Sequence, residues 1–282
     1  FVVAIAAVAG ASVPAYALGP GMAAKFAVLS DGATAIGTTK IGGVAGAAGG
    51  LTTQLTDKAR VNGNAIAESP NSSSLRLGDN AVVTGMCVTG GSSVVSDNPK
   101  KPGKCLGGTD TTGSSPLLTE YNTALTDFGD FGFGLAFLTP TTTVGDIDIP
   151  SKTKMTMTFG AGTSTVLIQG GFGRLLIESG STLTIQAPAN ASVVFLVSSL
   201  FTLQSKAKIK LAGGIKANNI AYLVTGDTTF GTSSSFAGTV IGGGGCMADA
   251  KAKLVGALLC ENSVTFGSGV KLTFAPLPAV FP

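Results

Sequence analysis

The sequence predicts a mainly β fold of the solenoid type, and three observations lead there. First, one short phrase keeps returning: an apolar residue, any residue, a glycine, then small and apolar residues. It reads Ile41-Gly42-Gly43-Val44-Ala45, Val61-Asn62-Gly63-Asn64-Ala65-Ile66 and Val83-Thr84-Gly85-Met86-Cys87-Val88. It returns as Phe236-Ala237-Gly238-Thr239-Val240-Ile241 and Leu254-Val255-Gly256-Ala257-Leu258-Leu259. Second, successive copies are spaced by 20, 22 and 18 residues. That is the period of a coil that cannot bury its apolar face alone and so stacks on the next. Third, apolar residues alternate with polar ones through the C-terminal half, at Leu183/Ile185, Phe201/Leu203, Ile209/Leu211 and Leu272/Phe274, with turn residues between. Long regular sides of this kind suit binding to extended surfaces.

Composition agrees. The 282 residues are enough for one large core or two ordinary domains. Glycine supplies 41 of them without a Gly-X-Y repeat, which fits a chain that turns often. Hydrophobic residues at 44% and charged residues at 12% argue against disorder. The net charge of +3, from 18 basic and 15 acidic residues, is too weak to imply nucleic acid. Lys206, Lys208 and Lys210 alternate along a predicted strand and read as a solvated strand face. There is no histidine, which removes the Ser-His-Asp and Cys-His devices and the commonest metal ligand. This absence does not exclude every enzyme, because paired carboxylates can still work.

Taken in order, residues 1–17 form an uncharged apolar run ending Ala15-Tyr16-Ala17 and read as a signal-peptide remnant. The other reading is a filament helix resembling that of type IV pilins, although Ile5 stands where those carry an acidic residue. The run is short for a membrane span, and Gly, Ser, Thr and Lys interrupt every other apolar stretch, so no span is expected in the mature chain. Residues 18–282 read as a single solenoid domain. Its first coils occupy 18–95 and open on a buried strand from Phe26 to Leu29. Residues 96–140 are a loop followed by a helix. Ser115 is the candidate N-cap, Pro116 the first helical residue, and Leu117, Leu118, Tyr121, Leu125 and Phe128 hold helical spacing. A second block of coils fills 141–275, with an irregular insertion at 242–252. The tail 276–282 begins Pro276-Leu277-Pro278, where pairing must stop.

Four cysteines, Cys87, Cys105, Cys246 and Cys260, suggest disulfides in an exported chain, with three connectivities open. Cys87–Cys105 and Cys246–Cys260 are the sequence-local choice. A zinc site is the competing reading, and it lacks any C-x2-C pair.

The phrase Leu18-Gly19-Pro20-Gly21-Met22-Ala23-Ala24-Lys25-Phe26-Ala27-Val28-Leu29 resembles the mature N-terminus of the ice-binding-like family of secreted β-solenoids. Val193-Val194-Phe195-Leu196-Val197, Phe201-Thr202-Leu203 and Leu211-Ala212-Gly213-Gly214 resemble that family's second half. So do Asn218-Asn219-Ile220-Ala221-Tyr222-Leu223-Val224, Thr229-Phe230-Gly231, Ser235-Phe236-Ala237-Gly238-Thr239-Val240 and Val264-Thr265-Phe266-Gly267. The helix with Glu120-Tyr121-Asn122 looks like the one that packs along the solenoid there. The resemblance covers roughly residues 18–275 and is weaker between 42 and 110. It implies a right-handed, three-sided β-helix with one α-helix packed alongside, and an out-of-order arrangement in which the N-terminal coils stack on one end of the C-terminal block. It also implies a secreted, extracellular or cell-surface protein.

Ice binding in such folds goes with a regular, modestly apolar face. Rungs about 4.8 Å apart place equivalent residues in a straight row. Threonine suits such a row, with a methyl that tolerates contact, a hydroxyl that holds water and a stiff branched stem. Thr202, Thr229 and Thr265 form the best row in the sequence. A second face carries Thr182, Thr184, Ser233, Ser235 and Thr273, together with Lys208, Lys210 and Lys271, whose flexible charges spoil it for ice. The plain alternative is ordinary exposed strand residues, since threonine favours strands anyway. Asp146 and Asp148 share a strand face, with Asp127 and Asp130 nearby, and could act as acid and base; exposed turn positions are the simpler account. No catalytic residue, cofactor or metal is expected.

The expected function is therefore non-catalytic surface binding, with ice or another extended surface as partner, no nucleic acid, and scope for self-association. An adhesin or self-assembling filament subunit is the second reading, and a carbohydrate-active enzyme the third.

Overall fold

Each recurring phrase turns out to be a corner. In a computed structural model, which describes residues 26–30, 34–36, 40–42, 44–47, 53–67, 75–91, 93–96, 98–116, 119, 123 and 139–278, the chain winds through three strands per coil. The first full coil of the C-terminal block shows the plan. Thr142–Val144 lies on side I, Ile147–Ile149 on side II and Lys154–Thr158 on side III. The next strand, Gly162–Ile168, returns to side I and pairs in parallel with the first. Side II is one 10-stranded sheet, and sides I and III together form a 19-stranded one. They merge because Ser235–Gly242 and Lys253–Cys260 each run unbroken around the corner from side III to side I.

The alternation that the sequence shows is the alternation of in and out. Phe201 and Leu203 are buried while Thr202 between them is half-buried, and Val264 and Phe266 flank the exposed Thr265 in the same way. Inward residues stack rung on rung into one apolar core. Its centre is aromatic: Tyr222 stacks between Phe195 and Phe201, with ring centroids 5.0 and 4.9 Å apart. Phe230 and Phe236 close the cluster at 4.7 Å from each other.

The coils are not stacked in chain order. Phe26–Ser30 pairs with Lys253–Cys260, Thr34–Ile36 with Val264–Phe266, and Lys40–Gly42 with Lys271–Phe274, all in parallel. The N-terminal coils thus continue the C-terminal block, as the family resemblance implied. The chain must then pass from Asp110 at one end of the stack to Thr142 at the other, on the order of 45 Å for ten rungs.

Three expectations need adjusting. The segment taken for an irregular insertion contains Cys246–Ala248, a regular rung of side II paired on both edges. The segment taken for a loop after residue 95 carries Lys104–Cys105 and Thr109–Asp110, which pair with Val82–Val83 and Cys87–Thr89. Lys206 is not on the strand with Lys208 and Lys210; it sits in the preceding turn with φ of 61°. The helix expected beside the coils falls mostly outside the described residues; within it, the Thr119 amide donates to the Ser115 carbonyl at 3.2 Å.

Both disulfides take the sequence-local pairing. Cys87–Cys105 ties side I to side III across the last full coil, and Cys246–Cys260 ties neighbouring coils together at the corner of sides I and II.

Candidate functional site

Parallel in-register pairing lines up the middle residues of the side II strands in a single row, which faces outward. It runs Asp148, Leu176, Thr202, Thr229, Met247, Thr265, Ala35, Gln54, Arg76, Val95. Thr202, Thr229 and Thr265 therefore share one row, with Thr202 and Thr229 on adjacent rungs and Met247 between Thr229 and Thr265. From Leu176 to Gln54, seven successive positions of this row carry no charge. Charge begins only at Asp148 on one side, and Arg76 stands beyond Gln54 on the other.

Side III is different. Its first outward row runs Lys154, Thr182, Lys208, Ser235, Lys253, Lys271, Lys40, Arg60, Val82, Lys104. Its second row runs Thr156, Thr184, Lys210, Ala237, Val255, Thr273. Lys210, Ala237 and Val255 stand between Thr184 and Thr273. Thr182, Thr184 and Thr273 are thus on another side from the threonine row of side II, scattered among lysines. Ser233 is in a turn with φ of 59°.

Side I offers no comparable surface. Its outward residues alternate with core residues, yet Val194 and Ala221 are fully buried and Ile241 and Leu259 almost so. With Leu167 and Leu223 only partly open between these covered positions, side I presents no continuous exposed row among the described residues.

Asp146 and Asp148, the described carboxylates considered for catalysis, already have partners. Asp146 accepts the amides of Phe172 and Arg174 at 3.1 and 3.3 Å. Asp148 is gripped by the Arg174 guanidinium through Nε at 2.9 Å and a terminal nitrogen at 2.6 Å, and this bond raises the arginine's pKa. Both aspartates line a shallow opening at the Thr142 end of the stack, with Val144, Ile147, Met155 and Met157. Asp127 and Asp130 lie outside the described residues. At the other end, Asp110 accepts the Thr112 amide and hydroxyl at 3.1 and 2.8 Å, bonds that hold its pKa below the ordinary value.

The fold defines a class: a three-sided parallel β-solenoid that presents rows of equivalent residues along its sides. The family model described as ice-binding-like matches residues 24–270, and the chain belongs to that family. The family match supports ice binding as the function. Among curated proteins, none matches the chain in sequence. Solved structures with the same fold include the ice-binding protein of the Antarctic ascomycete Antarctomyces psychrotrophicus, 20% identical, covering 91% of this chain and 97% of that one, with a TM-score of 0.57. Another is the ice-binding protein of an Arctic yeast, described as having antifreeze activity: 16% identical, covering 94% of this chain and 99% of that one, with a TM-score of 0.58. A third, from an Antarctic biological consortium, is 21% identical over 95% of both chains, with a TM-score of 0.58.

Proposed function

We propose that this protein is secreted and binds ice through the uncharged stretch of side II, with Thr202, Thr229 and Thr265 as its contacts. The observation that carries the reading is the run of seven uncharged positions from Leu176 to Gln54. Their spacing of about 4.8 Å presents methyls and hydroxyls as a periodic array. Water ordered along such an array joins a crystal surface at many weak points at once, so adsorption is strong although no single contact is. Charged side chains bind water in fixed hydration shells that do not match a lattice, which disfavours side III for this role. Catalysis plays no part in the mechanism, and the four cysteines in two disulfides suit an oxidising, extracellular setting. Among the described residues, no helix is long and apolar enough to cross a membrane.

The test is an ice-recrystallisation assay on the chain beside two bulky substitutions. Thr229→Tyr should abolish inhibition, and Thr184→Tyr on side III should leave it intact. The reverse pattern would move the ice face to side III. No inhibition by the parent chain would remove ice as the ligand.

A further inference from the structure

The basic side has an order of its own. Lysines come in pairs, one in the left-handed turn between sides II and III and one at the start of the side III strand: Lys152 with Lys154, Lys206 with Lys208, Lys251 with Lys253. All six are exposed. The turn positions stack as the strands do. The Lys152 amide donates to Ser179, that of Gly180 to Ser205, that of Lys206 to Thr232, that of Ser233 to Ala250, and that of Lys251 to Ser268. Gly180 and Thr182 hold the corresponding places on the coil between the first two pairs. Ser233 and Ser235 hold them between the second and third. The pairs therefore recur on every second rung, a repeat of about 10 Å. Further along, Lys271 and Lys40 occupy the strand position singly and Lys58 pairs with Arg60. No acidic residue occupies an outward position on any strand of this side.

We infer that side III binds a linear acidic polysaccharide, one that carries a carboxylate on each disaccharide. Such a chain is extended and unbranched, and two sugar rings in line are close in length to two rungs. Each lysine pair would meet one carboxylate, and the small Thr182 and Ser235 between them leave room for the neutral sugar and hydroxyls to bond it. Other polyanions fit less well. Single-stranded nucleic acid is held by aromatic platforms, and an anionic bilayer by inserted aromatic or large apolar groups. Among the described residues, the strands of side III present no aromatic outward, and Val255 is their one exposed large apolar side chain. This inference stands apart from the ice reading, which uses another side.

The experiment measures binding of the full chain to hyaluronan, which alternates glucuronate with a neutral amino sugar, at rising salt. Neutral dextran, phosphatidylserine vesicles and single-stranded DNA serve as comparisons. Binding should be to hyaluronan alone and should weaken with salt, as screened contacts do. The double variant Lys208→Gln/Lys253→Gln should bind roughly ten-fold more weakly, since two ionic contacts are lost. The control Lys100→Gln/Lys216→Gln, with the same net charge but altered off these rows, should bind as the parent does. Circular dichroism of both variants should be unchanged. Absence of hyaluronan binding overturns the inference. So does equal weakening by the control pair, or equal binding of DNA or vesicles. Ice-recrystallisation inhibition retained by the Lys208/Lys253 variant would show that the two surfaces act separately.

Discussion

Thr229 and Thr265 stand two rungs apart on side II, with the half-exposed Met247 in register between them. The thioether interrupts an otherwise continuous row from Thr202 to Thr265 with a long, flexible apolar chain. Met247→Thr would complete four threonines on successive rungs. Ice-recrystallisation inhibition should then set in at a lower protein concentration than for the parent. Unchanged or reduced inhibition would show that the row does not act as a unit.

Gly238 and Gly256 face each other at the corner between sides III and I, with φ of 133° and 140°. A side chain is excluded twice over there. The backbone is in a region that residues other than glycine rarely enter. A Cβ on Gly256 would also overlap the Gly238 carbonyl oxygen, and one on Gly238 would lie 2.6 Å from the Tyr222 ring. Gly256→Ala should cost about 3 kcal/mol or more, combining backbone strain with a clash against backbone that has no room to give. Denaturant unfolding checks it; a midpoint within error of the parent would mean that the corner rearranges freely.

That corner shows why part of the fold was legible. The recurring phrase is the inward residue that ends side III, the corner glycine, and the first inward residues of side I. Ile41, Val61 and Val83 share one register column, and Phe236, Leu254 and Leu272 continue it. Coil length thus appears directly as spacing. The rung at Cys246–Ala248 did not announce itself, because four glycines precede it and only one outward residue separates its two buried ones. The junction of Leu272 with Ile41 has no local signature at all; it joins residues far apart in sequence, and only the family resemblance pointed to it. The lysine pairs were visible as Lys-x-Lys, but their alternation over rungs emerges only when the coils are laid in register.

Thr228 sits at an inward position of side II, in register with Phe201 and Cys246. It is almost fully buried, and its hydroxyl has no hydrogen-bond partner among the described residues. A valine has nearly the same shape without the stranded polar atom. Thr228→Val should raise stability by about 1 kcal/mol, the desolvation cost of a hydroxyl left unpaired. A loss of stability in thermal or denaturant unfolding would mean that the hydroxyl has a partner in solution.

Tyr222 carries the clearest pH signature. Its ring is wholly buried between Phe195 and Phe201, its hydroxyl makes one long bond among the described residues, to the Ala237 carbonyl at 3.5 Å, and burial pushes its pKa far above the ordinary 10.0. The folded chain holds this proton where the unfolded chain releases it. The stabilisation is complete below pH 10 and drains away above it, by about 1.4 kcal/mol per pH unit for this one group. Spectrophotometric titration should find one of the three tyrosines un-ionised until the protein unfolds. Tyr222→Phe should remove that loss, leaving a shallower fall in stability above pH 10 than the parent shows. Ionisation of all three tyrosines in the folded protein would place the Tyr222 hydroxyl within reach of water.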